Sequence, residues 1–385
     1  MYKCNTLAAL VAAVLLATAG AASAQTVTVQ GGGASLPATL YKGAGDSILP
    51  DNFTYAVTGS GTGKAAFLQN KPDLFGTTGT VHFAGSDSVL DQSEIDVYNR
   101  DMAPTFGPLI QIPSVGTSVT IPFNKAGVSL NLSVANLCGV MSGAITDWKE
   151  LDSSKSGPIT VIYRNEKSGT TELLTRFLAN ACAAENADSS KLIGGKFTVT
   201  QEFWKQFKSL PSNFAVAGTL GSKPLYDKVY STDGAIGYVG PDVVPKADLS
   251  NAAKIAKLRD ASPNDPSVKA TLDTIAPPTG SAANDPKNWV PVFTNPTGSG
   301  YPIVGYTNFV IGQCYKNTDV ASAMRVYYSK HYGATLDTKI ATAIGDHGFV
   351  ALTDEWRKAI RERFFIPSSA AGLNNVNTCA GIGRP

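Results

Sequence analysis

Histidine is scarce in this chain and scattered: His82, His331 and His347 stand far apart, and no Cys-x-x-Cys pair occurs. Such spacing offers zinc no cluster of ligands. No Gly-x-Ser-x-Gly elbow precedes a helix and no base is paired in sequence with a candidate serine, so a serine hydrolase has no signature here. Nor is there an excess of either charge. The formal +2 becomes +1 without Lys3, which argues against nucleic-acid binding by bulk charge. An anion would have to be caught by local geometry. Past the N-terminus no apolar run is long enough to span a bilayer, and no repeat of fixed period is present.

Residues 1–24 read as a secretory signal peptide: Lys3 gives the positive region, residues 7–16 the apolar core and Ala22-Ser23-Ala24 the cleavage site. A periplasmic or secreted protein is expected. Cys4 precedes the apolar core, so it is not placed to carry a lipid, and no membrane anchor is expected. Removing 24 residues from 385 leaves 361, more than one hydrophobic core usually serves, so two lobes are expected. Cys138, Cys182, Cys314 and Cys379 remain, and four cysteines in an exported chain suggest two disulfides with three possible connectivities. Pairing near neighbours, Cys138 with Cys182 and Cys314 with Cys379, would place one in each half.

Along the chain, short β-branched runs precede small-residue turns and helices. Residues 26–29 read as a strand, Gly31-Gly32-Gly33-Ala34-Ser35-Leu36-Pro37 as a glycine turn, and a helix starts at Ala38. Residues 53–58 form a second strand that ends in Gly59-Ser60-Gly61-Thr62-Gly63-Lys64, with a helical stretch over 65–68. This loop fails the Walker pattern, since Thr58 replaces its first glycine and Ala65 the magnesium-binding hydroxyl. Next, residues 81–83 lead to Asp87, which taken alone is most simply an N-cap or Asx turn. His82 reads as a packed strand residue. Residues 109–113 and 117–123 read as two successive strands, 246–288 as surface elaboration containing a helix, and 301–311 as a buried strand followed by helices over 320–330 and 354–363.

The densest turn follows a buried strand at 159–163. Arg164-Asn165-Glu166-Lys167-Ser168-Gly169-Thr170-Thr171 offers an anion backbone N–H groups at a helix N-terminus, small hydroxyls at Ser168 and Thr170, and a forked cation at Arg164. The plain alternative is a capped helix after a strand. Strands alternating with helices predict mostly parallel sheets, with ligands beyond the carboxyl ends of the strands. The turns at Ser35, Ser60, Asp87 and Ser168 all lie at that position.

With these motifs and Gly234-Ala235-Ile236-Gly237-Tyr238-Val239 in order, the mature chain resembles, over essentially its whole length, the phosphate-binding proteins of bacterial phosphate ABC transporters (the PstS family) and their DING subgroup. One departure is visible: the Asp-Ile-Asn-Gly that names the subgroup is here Thr28-Val29-Gln30-Gly31. The resemblance implies an α/β, two-lobed type II periplasmic-binding-protein fold, each lobe a mixed, mostly parallel sheet flanked by helices. Residues 25–116 plus 303–385 would form lobe I and 117–302 lobe II, with a disulfide in each. It also implies that Ser35, the Leu36 N–H, Ser60, Asp87, Arg164, Ser168, the Gly169 N–H and Thr170 contact inorganic phosphate, with Glu166 orienting Arg164. The implied function is high-affinity phosphate binding without a cofactor, for delivery to an ABC-transporter permease or for scavenging. The alternative is a secreted DING-type alkaline phosphatase, a phosphomonoester hydrolase.

Overall fold

The computed structural model describes residues 27–43, 45–183 and 187–385; the signal peptide read over 1–24 and its cleavage site lie outside them. The chain opens with β1 (Val29–Gly33), α1 (Ala38–Lys42), β2 (Phe53–Val57), α2 (Ser60–Leu68), β3 (Phe83–Ser86) and α3 (Gln92–Asp101), three strand-to-helix units in a row. A short α4 (Ala103–Phe106) precedes the long β4 (Leu109–Ser118). The middle of the chain supplies β5 (Asn131–Leu132), α5 (Val134–Ser142), β6 (Thr160–Tyr163), α6 (Gly169–Ala181), β7 (Phe214–Val216), α7 (Ser222–Tyr230), β8 (Ala235–Ile236), β9 (Lys257–Leu258) and α8 (Asp265–Leu272). It returns through β10 (Val304–Gly312) to α9 (Thr318–His331), α10 (Thr338–Asp346) and α11 (Asp354–Ile360).

Two larger sheets organise these elements, and β5 pairs with β9 in a third of two strands. The first has the order β2-β1-β3-β10-β4, in which β1 runs parallel to β2 and β3 while β10 is antiparallel to its neighbours β3 and β4. The second, β7-β6-β8, is wholly parallel. Helices flank both, as the alternating sequence signals require. Strands β4 and β10 are buried along their whole length, both faces being covered, although β4 carries Gln111, Ser114, Thr117 and Ser118 and β10 carries Thr307 and Asn308. The disulfides are Cys138–Cys182, tying α5 to the end of α6, and Cys314–Cys379, tying the end of β10 to the C-terminal segment.

Three local expectations are corrected. The glycine triplet is not a turn: Gly31, Gly32 and Gly33 are the last residues of β1, with partners on both sides. Here glycine serves close approach, since a Cβ on Gly31 would strike the Phe83 ring and one on Gly63 of α2 would strike the Gly33 backbone. The stretch from Ser60 to Lys64 is not a loop but the opening of α2. Residues 109–118 form one strand rather than parts of two, and Pro113 is tolerated beside the register shift at Thr307/Asn308, where the pairing of β10 with β4 skips Ser114.

Candidate functional site

The carboxyl ends of β1, β2, β3 and β6 open on one buried spot. Ser35 follows β1, Ser60 is the first residue of α2, Asp87 follows β3, and Arg164 follows β6. Ser168 caps α6, its Oγ accepting from the Thr171 N–H at 3.2 Å. These residues are at most 6% exposed, and Thr170 is fully buried. Contacts tie them into one cluster: the Arg164 Nη2 donates to Ser35 Oγ at 2.9 Å, and the Gly61 N–H of α2 donates to the Lys167 carbonyl at 3.3 Å. Gly169 sits so close that any Cβ there would strike Ser60 Oγ, with Asp87 Cβ at 2.7 Å and Ser88 N at 2.9 Å. Leu36 anchors the first turn, its side chain filling the space beside Gly240.

The hydroxyls share one arrangement. Ser35 Oγ accepts from Arg164, Ser60 Oγ from the Asp87 N–H at 3.1 Å, and Ser168 Oγ from the Thr171 N–H. Each oxygen already accepts one hydrogen bond, and each hydroxyl keeps a proton that it can rotate towards a further acceptor. Ser60 has an alternative acceptor in Asp87 Oδ2, but at 3.4 Å that contact is long. Thr170 Oγ1 and Asp87 Oδ1 are buried without a hydrogen-bond partner among the described residues. Buried orphans of this kind cost about 1–3 kcal/mol each unless something fills the site. The cluster therefore combines spare O–H donors, two helix N-termini and a guanidinium, the equipment for a small oxyanion.

Arg164 is 1% exposed and ion-paired through Nε and Nη2 with the Glu166 carboxylate. Its Nη1 donates to Ser222 Oγ at 3.3 Å, and its backbone N–H to the Tyr238 hydroxyl at 3.2 Å. That hydroxyl also meets Thr171 Oγ1 at 2.8 Å, so it fixes both ends of the turn; burial pushes its pKa up to about 12 and keeps it neutral. Asp87 is the contrary member of the set. Burial pushes its carboxyl up to about 7, against the pull of nearby Thr307, Arg164 and Ser60 and with a push from Glu172.

The plain reading of Asp87 as a helix cap fails, because Asp91 caps α3 and forms the capping box with Glu94. His82 is a packed strand neighbour whose Nδ1 accepts from the Gln30 N–H at 2.8 Å, and burial pulls its pKa down to about 4. Contacts join Ser35 to Arg164 and Ser60 to Asp87 and Gly169, with Glu166 on Arg164, while Leu36, Ser168 and Thr170 stand next to these residues in sequence. Sequence reasoning missed Ser222 at the start of α7 and the hydroxyl of Tyr238. Ser222 was legible in principle: Ala217-Gly218-Thr219-Leu220-Gly221-Ser222 follows β7 and opens a helix, the same strand, small-residue turn and helix as the other segments.

Residues 17–329 match the PBP superfamily domain. The phosphate-binding protein of Stenotrophomonas maltophilia is 53% identical and superposes with a TM-score of 0.88 over 93% of this chain and 100% of that one. The chain belongs to the PBP superfamily, in its DING branch. A high-affinity periplasmic phosphate-binding protein solved with phosphate at pH 8.5 (PfluDING) is 40% identical, with a TM-score of 0.86 over 93% of this chain and 100% of that one. Alkaline phosphatase L of Pseudomonas aeruginosa is 48% identical over 374 residues, 96% of this chain and 97% of that protein. The DING branch holds although residues 28–31 lack the motif that names it. Those positions do structural work, with Val29 to Gly31 in β1 and the Gln30 N–H on His82.

Proposed function

We propose that this chain binds one inorganic phosphate between its lobes, with Ser35, the Leu36 N–H, Ser60, Asp87, Arg164, Ser168, the Gly169 N–H and Thr170 as its contacts. The observation that carries the reading is the orphaned Thr170 hydroxyl and Asp87 carboxylate oxygen, buried beside serine hydroxyls that already accept from protein N–H groups. Phosphate at neutral pH brings an O–H that Asp87 can accept, whereas sulfate brings none. A buried acceptor left unpaired costs about 1–3 kcal/mol, more when charged, which is enough to select by orders of magnitude. The charge of the anion is met by helix N-termini and Arg164 rather than by net basicity.

The lobe boundary falls at residues 116/117 and 302/303 in this reading, supported by β1–β3 and β10 lying in one sheet and β6–β8 in the other; β4 extends two residues past it. Export, and handover to the permease of a phosphate transporter or scavenging outside the cell, are the physiological settings that fit. Two disulfides support an oxidising compartment, and no helix among the described residues is long and apolar enough to cross a membrane.

We read the site as a receptor rather than a hydrolase despite the phosphatase name of one relative. The oxygens of Ser60 and Ser168, which would have to attack phosphorus, are engaged by backbone N–H donors, and both residues are 1% exposed. The test is calorimetric titration of phosphate into protein stripped of endogenous ligand, repeated in excess sulfate. Tight one-to-one binding that sulfate fails to displace is expected; a folded protein that takes up no phosphate overturns the reading. Phosphomonoester turnover that disappears on Ser60→Ala or Asp87→Asn would instead establish the hydrolase.

A further inference from the structure

We infer that Ser222, with the Gly221 backbone beside it, is a positioning residue for Arg164, fixing the plane in which the guanidinium meets an anion. The inference rests on the phosphate reading above and adds α7 to the site. Strand β7, which delivers α7, pairs in parallel with β6, which delivers Arg164, so the two turns emerge side by side. Ser222 is 2% exposed, and its Oγ lies 3.3 Å from Arg164 Nη1 and 3.4 Å from Ser35 Oγ. The Gly221 N–H donates at 3.0 Å to Glu166 Oε1, the same oxygen that pairs with Arg164.

The opening of α7 therefore grips Arg164 twice, directly through the Ser222 hydroxyl and indirectly through Glu166. A guanidinium has five N–H groups in a rigid plane. Glu166 and Ser35 take the Nε and Nη2 side; Ser222 takes the Nη1 side. Held on both sides, the plane cannot tilt about its last side-chain torsion, and the one N–H left over, on Nη1, is fixed in direction before any ligand arrives. Fixing a receptor group in advance raises affinity by removing the ordering cost at binding.

Ser222→Ala should weaken phosphate binding about tenfold in the otherwise native protein, the value of one hydrogen bond to a charged group, with an unchanged thermal midpoint. In an Arg164→Lys background the same substitution should cost no more than about twofold, because residues that act through each other are not additive. An equal loss in both backgrounds marks a merely structural role, and no loss in the native background removes the role; either overturns the proposal. A second measurement needs no phosphate. In ligand-free protein with 15N-labelled arginine, exchange of the Arg164 Nε–H should be slow and should quicken in Ser222→Ala, and unchanged exchange overturns the positioning role. If the native protein bound no phosphate, the reading of the pocket would fail while this measurement still decided the positioning.

Discussion

Arg164 and Arg384 carry the most deeply buried guanidinium groups among the described residues, and they are held in opposite ways. Arg384 donates to the carbonyls of Val81 at 2.9 Å and Phe67 at 3.0 Å, with its guanidinium 4.0 Å from the Phe67 ring centroid and 4.9 Å from that of Phe106. Among the described residues no carboxylate pairs with it, and burial lowers its pKa. It spends its donors on neutral acceptors and its charge on aromatic faces. Arg164 is paired with Glu166 and donates to the hydroxyls of Ser35 and Ser222. The first arrangement spends both Nη groups on protein acceptors, leaves only Nε without one, and fastens the C-terminal segment to α2. The second lies beside a Thr170 hydroxyl and an Asp87 carboxylate oxygen that no protein group satisfies, as the proposed receptor for a protonated anion requires.

The contrast breaks most sharply on truncation. Arg164→Ala should weaken phosphate binding by about 10²–10⁴-fold, the usual consequence of removing one member of a buried charged pair, with calorimetric titration as the check. Its folding stability should fall less than that of Arg384→Ala. Arg384→Ala should lose about 3 kcal/mol of stability in urea unfolding, because two buried carbonyls are orphaned and a cavity opens, while its phosphate affinity stays native. Exchanged phenotypes would dissolve the comparison.

Asp87 sharpens it through pH. Its folded-state pKa of about 7 stands above the ordinary 3.8, so ionising it costs stability. That cost is absent below about pH 4, grows as pH rises and is complete above about pH 7. Ligand-free Asp87→Asn should therefore melt higher than the native protein at pH 8, with the difference fading towards pH 4. Sulfate should also compete better at pH 5.5 than at pH 8.5, because a protonated Asp87 can donate to it. Loss of discrimination in Asp87→Asn at every pH would support the same assignment.

The smallest effect belongs to a cation outside the site. His347 Nδ1 meets Asp242 at 2.5 Å and Nε2 meets Asp46 at 3.3 Å, and the hydrogen bond to Asp242 raises its pKa above 6.5. Its contribution is full below pH 6.5 and is lost as pH rises through the raised value. His347→Ala should cost no more than about 1 kcal/mol at pH 6, and nothing at pH 9, by thermal unfolding.

Much of this was legible in the sequence because the site lies at strand ends, where turn chemistry is local. Ser60 and Ser168 stand where apolar strands give way to helices, and each position follows from residues a few places away. What escaped depends mostly on partners distant in sequence, and in the case of Asp87 on a choice between two nearby carboxylates. The glycines of β1 look like a turn until Phe83 and Gly63 are seen packed against them. Asp87 looks like a cap until Asp91 is found doing that work. Ser222 acquires meaning only beside Arg164, 58 residues earlier.

The most direct test of the central claim is a crystal structure of the protein with phosphate. The account predicts one buried phosphate touching Arg164, Ser35, Ser60, Ser168, Thr170 and the Gly169 N–H, with Asp87 accepting its proton. Phosphate seated elsewhere while titration reports tight binding would contradict it.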